Sequence, residues 1–183
     1  MIELLIGGLI ALVVIVLFVI IYNSLVSLSR NIDRAFANID VLEKQRFDEI
    51  PNLIEACKGY MRYEEKLFNE ITKARTAWME AKTIAEKARA SDMISRALKT
   101  LFATAENYPD LKAVETFKHL QMRISGLENE IADRREFYND AVTTFNTRIA
   151  QIPYNIVAGM LGYKPKELFQ VPEKEKEPVK VEF

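Results

Sequence analysis

Leu4-Leu5-Ile6-Gly7-Gly8-Leu9-Ile10-Ala11-Leu12-Val13-Val14-Ile15-Val16-Leu17-Phe18-Val19-Ile20-Ile21, followed by Tyr22, is a run of eighteen residues without a polar side chain. No charge falls between Glu3 and Arg30. As a helix the run spans roughly 27 Å, close to the hydrocarbon thickness of a bilayer, and Tyr22 stands where an interfacial ring belongs. Fifteen of the eighteen are Leu, Ile, Val or Phe. Their insertion terms sum to roughly -5 to -9 kcal/mol as an upper bound. A cleaved signal peptide fits less well: the flank carries Glu3 and no Lys or Arg, the run is too long, and only Ser27 and Ser29 offer a small-x-small match. The expectation is an uncleaved transmembrane anchor over 1–24, with Leu4 to Tyr22 in or at the membrane.

Basic residues set the expected orientation. Arg30, Arg34, Lys44 and Arg46 follow the run, and none precedes it. This places a short N-terminus outside and the bulk of the chain in the cytoplasm, on a single pass through the cytoplasmic membrane. A lone cysteine, Cys57, fits a reducing compartment.

The rest of the 183-residue chain suits one domain of about 160 residues. Its net charge of -1 gives no basic field for nucleic acid. One cysteine and one histidine exclude an internal disulfide and the Cys/His zinc patterns, and six glycines with six prolines describe long helices with few loops.

Leu25, Leu28, Ile32, Ala35, Ile39 and Leu42 recur at helical spacing, and the phase resumes at Leu53, Ala56, Tyr60, Tyr63, Leu67, Ala74 and Ala77. Between them Pro51 marks a kink or a reversal; length bookkeeping favours reversal, and the unbroken seam phase argues the other way. Thr83-Ile84-Ala85-Glu86 reads as a capping box opening a helix to about Glu106. Asn107-Tyr108-Pro109-Asp110 reads as a loop, with Asp110 capping a helix of about 41 residues that Pro153 closes. The seam of that helix is Phe117, Leu120, Ile124, Leu127 and Ile131, then, shifted by one residue, Tyr138, Val142, Phe145, Ile149 and Ile152. The expected class is all-α: the anchor, then an elongated antiparallel up-and-down bundle of three to four long helices over 25–162, four preferred, then a Lys/Glu/Pro-rich disordered tail over 163–183.

Catalytic chemistry finds little to use. His119 is the only histidine, and Glu115 four residues before it makes at most one weak metal pair. Phosphate-loop, nucleophile-elbow and His-Glu-x-x-His patterns are absent. No enzyme, metal or cofactor is expected. The polar residues are more informative. Arg46, Asp48, Glu49, Asn52 and Glu55 crowd Pro51, while Glu128, Asn129, Arg134, Arg135, Asn139 and Asn146 occupy or flank the long seam, Arg134 on the seam itself. The two groups are expected to face each other as a buried ionic network fixing helix register; the alternative leaves the arginines on a solvated rim. Phe47, Phe68, Trp78 and Phe137 lie off the seam, as a contact surface or as the edge of a wide core face.

Several segments resemble the LemA family of bacterial membrane-anchored proteins: the span ending in Tyr22-Asn23, the decapeptide Arg46-Phe47-Asp48-Glu49-Ile50-Pro51-Asn52-Leu53-Ile54-Glu55, and Lys58-Gly59-Tyr60. Tyr108-Pro109-Asp110-Leu111-Lys112-Ala113 and the run Glu128-Asn129, Ile131-Ala132, Arg135, Tyr138-Asn139, Val142 and Phe145-Asn146 extend the likeness over residues 4 to about 162. The resemblance implies a single N-terminal span, a cytoplasmic helical bundle and no established enzymatic activity; a magnetosome-membrane relative linked to membrane remodelling is also similar. Phe145, where the family more often has Tyr, and the Lys/Glu tail depart from it. The expected function is a membrane-anchored scaffold that self-associates and organises or shapes the bilayer. The alternative is an adaptor or regulator of another membrane protein such as a protease, transporter or sensor. Expected partners are the lipid bilayer, further copies of the chain and possible membrane clients, without nucleic acid.

Overall fold

The computed structural model describes residues 1–170, which are all helical with turns and no strand among them. Helix α1 covers Ile2–Lys58, α2 Glu65–Glu80, α3 Ile84–Ala105, α4 Pro109–Ala113, α5 Glu115–Ala150 and α6 Tyr154–Met160. At 57 residues α1 is about 85 Å long. Its residues Ile2 to Ile20 are exposed throughout, and it is the one described helix long and apolar enough to cross a membrane. The buried stripe begins at Ile21 and continues through Leu25, Ile32, Ala35, Ile39 and Leu42.

The reversal expected at Pro51 does not occur there. Pro51 lies inside α1, exposed, and the chain turns only over residues 59–64. Ile50, Leu53 and Cys57 stay on one buried stripe across it. Burying Leu53, Cys57 and part of Ile54 is worth roughly 4–5 kcal/mol, which outweighs the roughly 3 kcal/mol that an interior proline costs. Tyr60 and Tyr63, read as seam residues, are exposed in the turn, and Met61 is buried from it instead.

The Thr83 capping box forms in full: Glu86 N donates to Thr83 Oγ1 at 3.1 Å, and Thr83 N donates to Glu86 Oε2 at 3.0 Å. The single long helix expected after Asp110 is two helices. Tyr108 takes the N-cap position of α4, Pro109 begins it and Asp110 lies in its first turn rather than capping it. Val114 (φ -71°, ψ 119°) then leaves helical geometry, and α5 restarts at Glu115. Along α5 the seam is buried at Phe117, Leu120, Ile124, Leu127 and Ile131, then at Tyr138, Val142 and Phe145; Ile149 is half-buried and Ile152, beyond the helix end, is exposed.

Helix α5 packs along α1, α2 lies against α3, and α6 touches both α1 and α5. One cluster from Ile32 to Phe169 forms the main core, and a smaller one joins Ile21 and Leu25 to Val157 and Ala158. Residues 163–170 were expected to belong to a disordered tail. They pack on the core instead, with Phe169 buried and Tyr163 and Leu168 half-buried. The remainder of that expected tail, 171–183, lies outside the described residues.

Candidate functional site

Where the α5 seam slips by one residue, between Ile131 and Tyr138, the core changes from apolar to ionic. Glu43 and Arg46, one turn apart on α1, and Ser91 of α3 are each 0% exposed. The Arg46 guanidinium donates through Nη2 to Glu43 and to Ser91 Oγ (2.9 Å), and through Nη1 to Glu128 and to Ser95 Oγ (2.9 Å). Arg135 donates to Asp92 at 2.7 Å and to Ser91 Oγ, and its guanidinium lies 3.9 Å from Glu43 Oε1. Ser91 Oγ donates in turn to Glu43. The hydroxyl thus spends its one proton and both lone pairs inside the cluster. Three helices are tied at one level by a planar donor that fits two carboxylates. Burial pushes the Glu43 carboxyl above its ordinary range, opposed by Arg46, Ser91 and Arg135. Arg46 Nε is buried with no partner among the described residues.

An aromatic layer adjoins the ionic one. Phe36 meets Tyr138 edge-on at 6.0 Å, and Phe47 meets Trp78 at 5.8 Å. Phe169 enters among Phe36, Tyr138 and Trp78 at 6.2–6.5 Å. The Arg135 guanidinium covers the Phe169 ring at 5.0 Å, and Lys87 Nζ lies 4.7 Å from the Trp78 ring. Lys87 also pairs with Asp40 at 3.0 Å.

Side-chain amides hold the strap that carries Phe169. Asn139 accepts from Phe169 N at 2.7 Å and donates to Phe169 O at 3.4 Å. Asn146 accepts from Lys166 N at 2.8 Å and donates to Lys166 O at 2.9 Å. The Tyr138 hydroxyl donates to Glu167 O at 3.0 Å. Burial raises the Tyr138 phenol above its ordinary range, helped by Glu167 and Asp33.

The structure divides the candidate residues, Glu49 apart, into three groups. Arg46, Glu128 and Arg135 meet in the ionic cluster. Tyr138, Asn139 and Asn146 bind the strap rather than the helix opposite. Asp48, Pro51, Asn52, Glu55, Asn129 and Arg134 are exposed: contrary to expectation they lie outside the buried network, and Arg134 lies off the seam. Glu49 pairs at the surface with Arg123. Phe47, Phe68 and Trp78 complete the core face, and only Phe137 of that set is exposed, at 56%. Of the loop motif, Tyr108 is half-buried and its hydroxyl donates to Glu64 at 3.3 Å.

Glu43, Ser91, Asp92 and Ser95 were missed. Glu43 stands three residues before Arg46, and Ser91 three before the buried Ile94, so both spacings were visible in the sequence. The i,i+4 pair Glu115 and His119 is exposed, with Glu115 beside Lys118 at 3.7 Å. Among the described residues no group of three His, Cys, Asp or Glu is placed to hold a metal. Cys57 is buried in the core, and burial pushes its thiol up to about 12.

The chain is 27% identical over 175 residues to the magnetosome proteins MamQ 1 and MamQ 2 of Paramagnetospirillum magneticum, covering 81% of this chain and 64% of theirs. It therefore spans less than two thirds of the length of those relatives. Protein LemA of Metamycoplasma hominis is 29% identical over 158 residues, covering 84% of this chain and 71% of that protein. The model of the LemA family matches residues 35–183, most of the chain including the ionic layer and the strap, and the protein belongs to the LemA family.

Proposed function

We propose that the protein is a non-enzymatic, membrane-anchored helical scaffold that self-associates and organises or shapes the bilayer. The observation that carries this reading is the continuity of α1. Its exposed apolar run over Leu4–Ile20 and the buried stripe from Ile21 to Cys57 belong to one unbroken helix. Exposing such a run to water is unfavourable by many kcal/mol, and lipid satisfies it. A helix that serves as both anchor and core transmits its tilt in the membrane to the body, with no linker to absorb it.

The ionic layer supports a mechanical rather than chemical role. Every carboxylate and hydroxyl in it is committed to a neighbour, and its geometry fixes the register of α1, α3 and α5. On the orientation expected from the sequence, Arg30, Arg34 and Lys44, all exposed, carry the charge asymmetry on the C-terminal side of the span. Many copies held in one plane associate through contacts too weak to act in solution.

The test is energy transfer between donor- and acceptor-labelled copies of the full chain in vesicles. Transfer above the random-proximity level that persists as the protein is diluted with lipid supports self-association. Transfer that falls to that level moves the reading to an adaptor whose partner is another membrane protein.

A further inference from the structure

Helix α6 has two faces. One, through Val157 and Ala158, is buried on Ile21 and Leu25 of α1. The other carries Ile156 and Met160, one turn apart and 62% and 71% exposed, with Ile152 at 81% just ahead of the helix. Ile21 ends the apolar run, and the twenty helical residues up to it measure about 30 Å, the hydrocarbon thickness of a bilayer. The buried face of α6 therefore sits at the level where the span leaves the hydrocarbon, and Ile156 and Met160 stand exposed on the same short helix.

We propose that α6 is an interfacial foot whose Ile152, Ile156 and Met160 side chains enter the headgroup–acyl boundary beside the span. The proposal rests on the membrane-anchored reading of α1 and adds a second lipid-binding element to it. Lipid is the occupant that fits. Three side chains expose no more than a few hundred Å², against the roughly 800 Å² per partner that a stable protein interface buries. Arg148, which covers the Tyr154 ring at 4.7 Å, and the exposed Lys164 border the foot with charge suited to anionic headgroups. Two attachments at one level fix the rotation of the body about the α1 axis as well as its height.

The full chain in phosphatidylcholine–phosphatidylglycerol vesicles tests this. Cys57 is fully buried, so thiols introduced by Ile156→Cys, Met160→Cys, Val19→Cys and Met122→Cys, one per variant, take an environment-sensitive dye selectively. Lipid carrying a nitroxide near the interface is expected to quench the dye at positions 156, 160 and 19 by about twofold or more, and to leave position 122, more than 40 Å along α5 from its end, unchanged. Quenching at 19 without quenching at 156 and 160 overturns the foot and leaves the anchor standing. Absence of quenching at 19 overturns the anchor and the foot with it.

Discussion

The Asn139 side-chain amide pairs with the Phe169 backbone in both directions, accepting from its N–H and donating to its carbonyl. Asn146 repeats the arrangement at Lys166. Seven residues of helix rise about 10.5 Å, and three residues of extended chain cover about 10 Å, so two amides a heptad apart match a strap advancing three residues. The strap then delivers Phe169 to the aromatic layer, under the Arg135 guanidinium.

Asn139→Ala is expected to release the strap without unfolding the bundle. Losing a two-way amide pair costs about 1–2 kcal/mol locally. Hydrogen exchange at the Phe169 amide should accelerate by about tenfold or more, while amides in the middle of α5 keep their protection. Unchanged exchange at Phe169 would show that the ring alone holds the strap.

Arg46→Met leaves Glu43 in a dry core and the half-buried Glu128 beside it without their shared cation. The expected loss is about 3–5 kcal/mol in chemical denaturation, because the Glu43 carboxylate remains buried without its main counter-charge. Arg135→Met, at the rim of the same cluster with its side chain 21% exposed, should cost about 1–2 kcal/mol. An Arg135→Met variant with full stability and one folded state contradicts a register role for that residue.

Glu43 gives the ionic layer a pH signature. Its carboxyl lies above the ordinary 4.5 in the folded chain, so the folded state holds its proton more firmly than the unfolded state. Stability from this group is then present below 4.5 and falls as pH rises from there through the folded value. Glu43→Gln removes that slope. The gap in denaturation midpoint between the two chains should change between pH 4 and pH 7 in the sense that wild type loses ground relative to the variant; a constant gap contradicts the shift.

Pro51→Ala is expected to stabilise. The position is exposed within α1, and alanine restores the backbone donor that proline lacks while removing its strain on the preceding turn, a gain of about 1–3 kcal/mol. A loss on thermal melting would mean that the packing of Ile50 and Leu53 needs the bend proline imposes.

Much of this architecture is legible in the chain because its signals are periodic. The run from Leu4 to Ile21, the stripe from Leu25 to Leu42, the Thr83–Glu86 box and the seam of α5 each follow from spacing alone. What escaped depends on competition between terms. Pro51 reads as a break until the burial of Leu53 and Cys57 is weighed against it. Val114, the residue that splits α4 from α5, has no distinctive composition. The strap reads as tail because Tyr163, Leu168 and Phe169 stand without helical spacing among lysines, prolines and glutamates, and the asparagines that bind it face backbone, which carries no sequence signal. The ionic cluster was half visible: Arg46, Glu128 and Arg135 stood out by charge, whereas Ser91 and Ser95 looked like ordinary helix surface.

The measurement that bears most directly on the scaffold reading is the mass of the full-length chain in nanodiscs, with electron-microscope images of the same protein in vesicles. The account predicts masses of several copies per disc at high loading and ordered patches or altered curvature where protein is dense. A single copy per disc at every loading, on vesicles of unchanged shape, would contradict it.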